Sequence, residues 1–310
     1  MLTTLSLSPC IDRRMEFDGF RAGATNRVVA SRAEGAGKAV NVALAARALG
    51  MPARCVGILP AGGEMVETRL AQAGVPFSFL PAPGVTRVNL KLFDRRAAET
   101  TEVSEPCPEA PASLLSRAAD AAAQAARESG FLVLTGSLPS GCPDAWYADM
   151  LRRVHAEAPG CRCVLDAEGP RFVLGLQARP FLVKPNLHEL ACAAGHALST
   201  RRAILRAAEG LLDAGAQTAV VSLGAQGALA VDATGAAFAP ALDVPVRTTT
   251  GAGDAMVAGL LLALAGGAGL TDALRHGTAA AAARCLCAGD AFLHRTDFDA
   301  LLPQTRADSL

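Results

Sequence analysis

The run Thr248-Thr249-Thr250-Gly251-Ala252-Gly253-Asp254 opens onto an apolar stretch from Ala255 to Leu264. It reads as a glycine turn feeding a helix, with one carboxylate in the first turn. Glycines let the backbone fold tightly and bring bare N–H groups close to a ligand. A helix N-terminus adds partial positive charge, so the turn suits a phosphate. Asp254 then has two readings: a helix cap, or a base beside a phosphoryl donor. A second glycine turn, Glu34-Gly35-Ala36-Gly37-Lys38-Ala39-Val40-Asn41, puts a lysine and an amide near another helix start. Lys38 can hold an anionic group, and Asn41, about one turn on, offers donors and an acceptor for hydroxyls. A solvated lysine and a helix-surface asparagine fit the same residues.

Neither turn matches a common nucleotide motif. A Walker A loop needs a glycine where Arg32 stands and Ser or Thr where Ala39 stands, and a dinucleotide fingerprint needs a glycine where Met256 stands. Thr135-Gly136-Ser137-Leu138-Pro139-Ser140-Gly141 follows an apolar strand, where an α/β active-site loop or a simple turn would sit. In Lys184-Pro185-Asn186-Leu187-His188-Glu189, Asn186 and Glu189 share one face if a helix begins there. Such a pair holds magnesium through water or closes a helix cap. Ser222-Leu223-Gly224-Ala225-Gln226-Gly227 ends another strand with two glycines, suiting a nucleotide contact or a hairpin. The histidines at 155, 188, 196, 276 and 294 show neither metal spacing nor a partnered nucleophile.

The elements that must position these residues alternate. Leu2–Leu7, Phe131–Thr135, Cys163–Asp166, Phe181–Lys184 and Ala219–Leu223 are short apolar runs followed by turn residues, as buried parallel strands should be. Ala39–Leu49, Ala112–Glu128, Thr200–Ala214 and Thr271–Leu286 carry helical patterns. The alternation predicts a doubly wound α/β sheet with ligands outside the C-terminal strand ends. Two segments, at about 12–33 and 86–104, lack helical periodicity and read as excursions, either a small β lid or two surface hairpins.

At 310 residues, 51% of them hydrophobic, the chain suits one large domain with an ample core. A net charge of zero gives no electrostatic footprint for nucleic acid or an anionic membrane. The nine cysteines form no Cys-x-x-Cys and no closed disulfide framework, which suits a reducing compartment. The N-terminus lacks a basic region before its apolar stretch, and the apolar run from Ala255 to Leu270 is short for a span. The expectation is a soluble, cytoplasmic protein.

Taken in order, the blocks resemble the PfkB-type, ribokinase-like carbohydrate kinases. The branch most similar is the phosphosugar one, which includes 1-phosphofructokinase and tagatose-6-phosphate kinase. The resemblance rests on Leu7-Ser8-Pro9-Cys10-Ile11-Asp12, Gly35-x-Gly37-Lys38-x-x-Asn41, Thr86-Arg87-Val88-Asn89-Leu90-Lys91, Gly136–Gly141, Lys184-Pro185-Asn186-x-x-Glu189, Ser222–Gly227 and Gly251–Asp254. It implies a ribokinase-like single domain over 1–310, with a β lid from the two excursions and a homodimer through that lid. It also implies phosphoryl transfer from ATP, with Mg2+, to a ketohexose phosphate, foremost fructose 1-phosphate. Tagatose 6-phosphate or fructose 6-phosphate, and a non-catalytic phosphosugar-binding protein, stand as alternatives. Asp254 matches the base, and Thr250, Gly251, Ala252 and Gly253 match the anion hole. Asp12, Gly37, Asn41, Asn89 and Ser137 match sugar contacts, while Lys38, Arg87 and Lys91 match the cations around the substrate's phosphate. Asn186 and Glu189 match the magnesium motif; Lys184, Ser222, Gly224 and Gly227 fall where ATP is bound. The branch usually carries glycine where Ala36 and Ala39 stand, so their methyl groups are expected to narrow the sugar pocket. Other departures are Thr250, Ser104, Pro106-Cys107 and Asp166-Ala167-Glu168.

Overall fold

A computed structural model describes residues 1–287 and 291–310. Along the chain the elements are β1 (Leu2–Ser6), β2 (Cys10–Phe17), β3 (Ala30–Ala36), α1 (Lys38–Ala48), β4 (Ala53–Ala61), α2 (Glu64–Gln72), β5 (Phe77–Val85), β6 (Arg87–Asp94) and β7 (Glu99–Ser104). There follow α3 (Ala112–Arg127), β8 (Phe131–Thr135), α4 (Trp146–Glu157), β9 (Arg162–Asp166), α5 (Gly169–Leu176), β10 (Leu182–Val183), α6 (Leu187–Ala194), α7 (Arg201–Asp213) and β11 (Thr218–Ser222). The C-terminal part holds β12 (Ala228–Asp232), β13 (Gly235–Ala239), α8 (Ala252–Ala265), α9 (Leu270–Leu286), α10 (Arg295–Leu301) and β14 (Asp308–Ser309). The expected strands and helices are present within one or two residues of their ends, except that Phe181 and Lys184 flank β10 rather than belong to it.

The large sheet runs β14-β13-β12-β11-β10-β9-β8-β1-β4-β5. Strands β5 to β11 of that row pair in parallel, while β12, β13 and β14 are antiparallel additions. Alternating side chains separate its two core layers. Phe131 and Val133 face the layer of α1, α8 and α9, whereas Leu132 and Leu134 face the layer of α3, α4 and α7. Because both faces are covered, these strands read as continuous apolar runs. The chain leaves β1 towards β4 on one side and reaches β8 on the other, so the row reverses between β1 and β8. That reversal opens a crevice at the C-terminal strand ends.

Residues within the two irregular segments build a separate four-stranded sheet, β3-β2-β6-β7. Two antiparallel hairpins, β2–β3 and β6–β7, join through a parallel β2–β6 pair that sets Cys10, Asp12 and Arg14 beside Arg87, Asn89 and Lys91. With a side-chain period of two, all six fall on one face. Asp94 anchors the long β2–β3 connection by accepting from the amides of Gly19 (3.0 Å) and Phe20 (2.7 Å).

All nine cysteines are unbridged, and among them Cys192 on α6 is the exposed one. Among the described residues no helix is long and apolar enough to cross a membrane.

Candidate active site

The decisive local structure is the start of α8. Gly251 is its N-cap at φ 81°, a left-handed conformation that suits glycine. A Cβ there would also meet the Phe292 ring at 2.7 Å. Gly251 and Gly253 of this turn line the crevice. A Cβ on Gly253 would approach the Lys184 ammonium to 3.2 Å, so the bare backbone lets that cation lie over the turn. Asp254 sits in the first turn, 7% exposed, and its Oδ2 accepts from Asn41 Nδ2 of α1 at 2.8 Å. The carboxylate is therefore not engaged as a cap of its own helix; it is held by a neighbouring one. Burial, reinforced by nearby Asp166, pushes its pKa up to about 6, against the pull of the Asn41 hydrogen bond and of Lys38 and Lys184.

Asp166 closes β9 at the same edge and is 3% exposed. It accepts from Thr135 Oγ1 at 3.1 Å and lies 3.7 Å from Lys38 Nζ and 3.8 Å from Lys184 Nζ. Burial disfavours its charge, but Lys184, Lys38 and the Thr135 hydroxyl outweigh that and hold it below the usual carboxylate range. Asp166 in turn raises the pKa of Lys38 against the effect of burial, with Asp254 and Glu189 adding to it. Asp166, Asp254, buried Lys184 and the partly exposed Lys38 thus share one cluster of charges, in which burial lifts Asp254 to about 6.

The small sheet supplies the opposite wall. Asp12 accepts from Asn89 Nδ2 at 3.1 Å and from the Cys10 thiol at 3.4 Å, and it pairs with Lys91. Arg87 Nη1 donates to Asn89 Oδ1 at 3.3 Å and its Nη2 to the Ser8 carbonyl at 3.4 Å. Its Nε is buried with no acceptor among the described residues. At the far side Asn186 and Glu189 form a capping box on α6, each side chain accepting from the other's amide at 2.8 Å. The box uses Oε2 of Glu189, and both residues still line the crevice.

The crevice is about 640 Å3. It gathers Asp12, Gly37, Lys38, Asn41, Arg87, Asn89, Lys91 and Ser137 with Lys184, Asn186, Glu189, Ser222, Thr250, Gly251, Gly253 and Asp254. Ala252, Gly224 and Gly227 instead line an adjoining cavity of about 580 Å3, walled by Leu242, Val244, Val246 and Met256. The two share Asn186, Ser222, Thr249 and Gly253, so a long ligand can run from the apolar cavity to the polar crevice. One cavity suits a flat apolar base and the other an anion and a polyol.

This geometry has counterparts. A model of the pfkB family carbohydrate kinases matches residues 6–296. The chain belongs to the pfkB family of carbohydrate kinases. A 1-phosphofructokinase from Rhodobacter capsulatus is 36% identical over 280 residues, covering 90% of this chain and 88% of that protein. An ATP-dependent 6-phosphofructokinase isozyme 2 from Mycobacterium tuberculosis is 32% identical over 308 residues, covering 96% and 88% respectively. A crystal structure of Phosphofructokinase-2 from Escherichia coli, in complex with substrates and products, superposes with a TM-score of 0.91 at 28% identity over 98% of both chains.

Two features of this kinase differ from the sequence reading. Ala36 and Ala39, expected to narrow the sugar pocket, are 1% and 2% exposed and do not line the crevice. Their methyl groups fill protein interior, and Gly37 and Lys38 between them face the ligand space. Lys38, grouped with Arg87 and Lys91 from the sequence, has Asp166 as its ion-pair partner. Asp166 itself was treated as a mere departure from the family pattern, although its place at the end of a strand was the signal for a site residue. Ser8, Cys10, Glu102, Ser104, Glu168 and Thr249 also line the crevice. They come from loops, from β7 and, for Cys10, from the start of β2, where the side-chain period gives no marker of its own.

Proposed function

We propose that this kinase transfers the γ-phosphoryl group of ATP to the free primary hydroxyl of a ketohexose phosphate, with fructose 1-phosphate the preferred acceptor. The observation that carries this reading is Asp254: a buried carboxylate with a pKa of about 6, held by Asn41 at the amide-lined start of α8. The hydroxyl oxygen attacks the γ-phosphorus in line, its proton passes to Asp254, and the bond to the β-phosphate oxygen breaks to release ADP. Amides of Gly251, Ala252 and Gly253 meet the charge on the transferring group, reinforced by the helix N-terminus and by Lys184 over Gly253. Asp12, Asn89 and Asn41 suit sugar hydroxyls, and the Arg87 guanidinium on the crevice wall suits the acceptor's existing phosphate. The adenosine fits the apolar cavity beside Gly224 and Gly227.

Among the described residues no group of three or more His, Cys, Asp or Glu is arranged to hold a metal ion. Glu189 is the residue that would hold a hydrated Mg2+ through water, since Mg2+ keeps several waters where one or two carboxylates serve it. When bound it neutralises phosphate charge. We assign the four-stranded sheet the role of lid over the sugar. Its outer face carries partly exposed Met15 and Leu92 and exposed Val103, which suit a homodimer contact. ATP as donor implies work in the cytoplasm.

The preference for fructose 1-phosphate is supported by the relatives that carry that activity in their names. A coupled ADP-release assay across fructose 1-phosphate, tagatose 6-phosphate, fructose 6-phosphate and free sugars tests it. The highest kcat/KM is expected on fructose 1-phosphate. Turnover confined to unphosphorylated sugars would overturn the phosphate assignment, and binding without product would overturn catalysis.

A further inference from the structure

Beyond the Asp12–Lys91 ion pair lies a second, smaller cavity of about 220 Å3. It is lined by the next residues on the same face of the small sheet, Arg14, Glu16 and Glu34, and closed by Arg247, Thr248 and Arg284. Asp12, Lys91 and Thr250 are shared with the crevice, but the rest of its lining has no part in the phosphoryl-transfer scheme, and its charges are unevenly matched. Each carboxylate on its wall is already taken: Asp12 by Lys91, Glu16 by Arg14 at 3.3 Å and Arg95 at 2.8 Å, and Glu34 by Arg69 at 3.1 Å. Arg32 also lines the cavity and is already engaged, which leaves Arg247 and Arg284 without an ion pair among the described residues.

Arg284 is the stronger observation. It is 5% exposed and lies at 4.6 Å over the Phe292 ring, with Nη1 donating to the Cys287 carbonyl at 3.1 Å. Its Nε is buried without an acceptor, and no carboxylate reaches the guanidinium within ion-pair distance, among the described residues. It also stands behind the N-cap of α8: a Cβ on Gly251 would approach Arg284 Nε to 3.3 Å. Arg284 lies in the last turn of α9, whose C-terminal carbonyls favour a cation, but its guanidinium also abuts the positive N-terminus of α8 and has no carboxylate in ion-pair contact among the described residues. An anion relieves both at once.

The geometry points to a second anion site here: the side cavity binds a tetrahedral oxyanion of the phosphate class against Arg284 and Arg247, with the Thr248 hydroxyl beside it. The cavity is about a third of the crevice volume, which suits a phosphate or a small phosphorylated molecule and excludes a nucleotide. Its occupant touches both halves of the active site, through Arg284 behind Gly251 and through Lys91, which closes on Asp12. The site does not depend on which sugar is phosphorylated.

The test separates this cavity from the Arg87 end of the crevice. Arg87→Ala protein is titrated calorimetrically with inorganic phosphate and, in parallel, with glycerol 3-phosphate. Binding is expected to persist, and to weaken by about tenfold or more on adding Arg247→Ala, as for loss of a charge-assisted contact. Arg247 is exposed, so this variant keeps the fold; Arg284→Met is the buried counterpart, accepted only if its melting curve remains cooperative. Crystals soaked in selenate should show anomalous density between Arg247 and Arg284. Tighter binding of inorganic phosphate identifies the free ion as occupant, and tighter binding of glycerol 3-phosphate identifies an organic phosphate. No titratable binding in Arg87→Ala, equal affinity with and without Arg247, or density at crystal concentration only would each overturn the assignment.

Discussion

At the scale of single residues, the proposed chemistry turns on how unlike Asp254 and Asp166 are made. Both are buried aspartates at the same strand-edge crevice, yet one keeps its charge between two lysines and the other is lifted to a pKa of about 6. As base, Asp254 must be ionised, so kcat/KM is expected to rise with pH, reach half-maximum near pH 6 and level off above it; a pH–rate profile checks this. Asn41→Ala removes a hydrogen bond that favours the carboxylate, so the rising limb should move to higher pH. Asp166→Asn removes a like charge and should move it lower, while leaving the buried Lys184 ammonium without its partner. A stability loss of roughly 3–5 kcal/mol is expected from that, measurable by urea unfolding. Asp254→Asn should cut kcat by roughly 10²–10⁴-fold while leaving ATP binding largely intact. The same variant should be more stable than the parent at neutral pH. The folded-state pKa lies above the unfolded value, so Asp254 costs nothing at pH below about 4 and its full penalty above about 6. The gain in Asp254→Asn, on the order of 2–3 kcal/mol, should therefore vanish as pH falls through that window. Cooperative melting at pH 4 and pH 7.5 reads it directly.

At the scale of elements, the position of the anion-binding turn is set by a helix pair without room to spare. A Cβ on Gly259 of α8 would meet the His276 carbonyl at 2.4 Å, and one on Gly277 of α9 would meet Leu260 at 2.8 Å. Gly259→Ala is thus expected to destabilise by about 1–3 kcal/mol, through overpacking that pushes the helices apart. It should also lower kcat, because the N-terminus of α8 moves with its helix; unfolding and steady-state kinetics on one preparation test both. This packing explains what was legible in the sequence. Strands such as Phe131–Thr135 are buried on both faces, so their apolar runs carried an unambiguous signal, and Gly251 to Asp254 announced its turn through glycine spacing. The shared face of Asp12, Asn89 and Lys91 was not legible from pattern alone. It depends on a parallel β2–β6 pairing between segments more than seventy residues apart, and polar strands with two partly wet faces leave register weakly specified. The burial of Ala36 and Ala39 was hidden for the same reason: a methyl group's direction follows from tertiary packing, not from a motif.

At the scale of the whole molecule, the active site is a seam between two sheets. The large one contributes Asp166, Lys184 and the turn before α8, and the small one contributes Asp12, Arg87 and Asn89. A dimer through the outer face of the small sheet should be visible by sedimentation velocity, and Leu92→Glu, which places a charge in that apolar face, should shift it to monomer. Loss of sugar affinity along with the dimer would tie assembly to the lid. The cysteines give the molecule a further property. Eight of the nine are at least partly covered, and burial raises the thiol pKa at Cys10, Cys55 and Cys142, leaving Cys192 alone in the open on α6. That helix begins at Asn186, on the rim shared by the two cavities. The unmodified protein therefore comes with its own attachment point for a single maleimide dye, and nucleotide arrival at the helix start could be followed as a change in emission from two turns away.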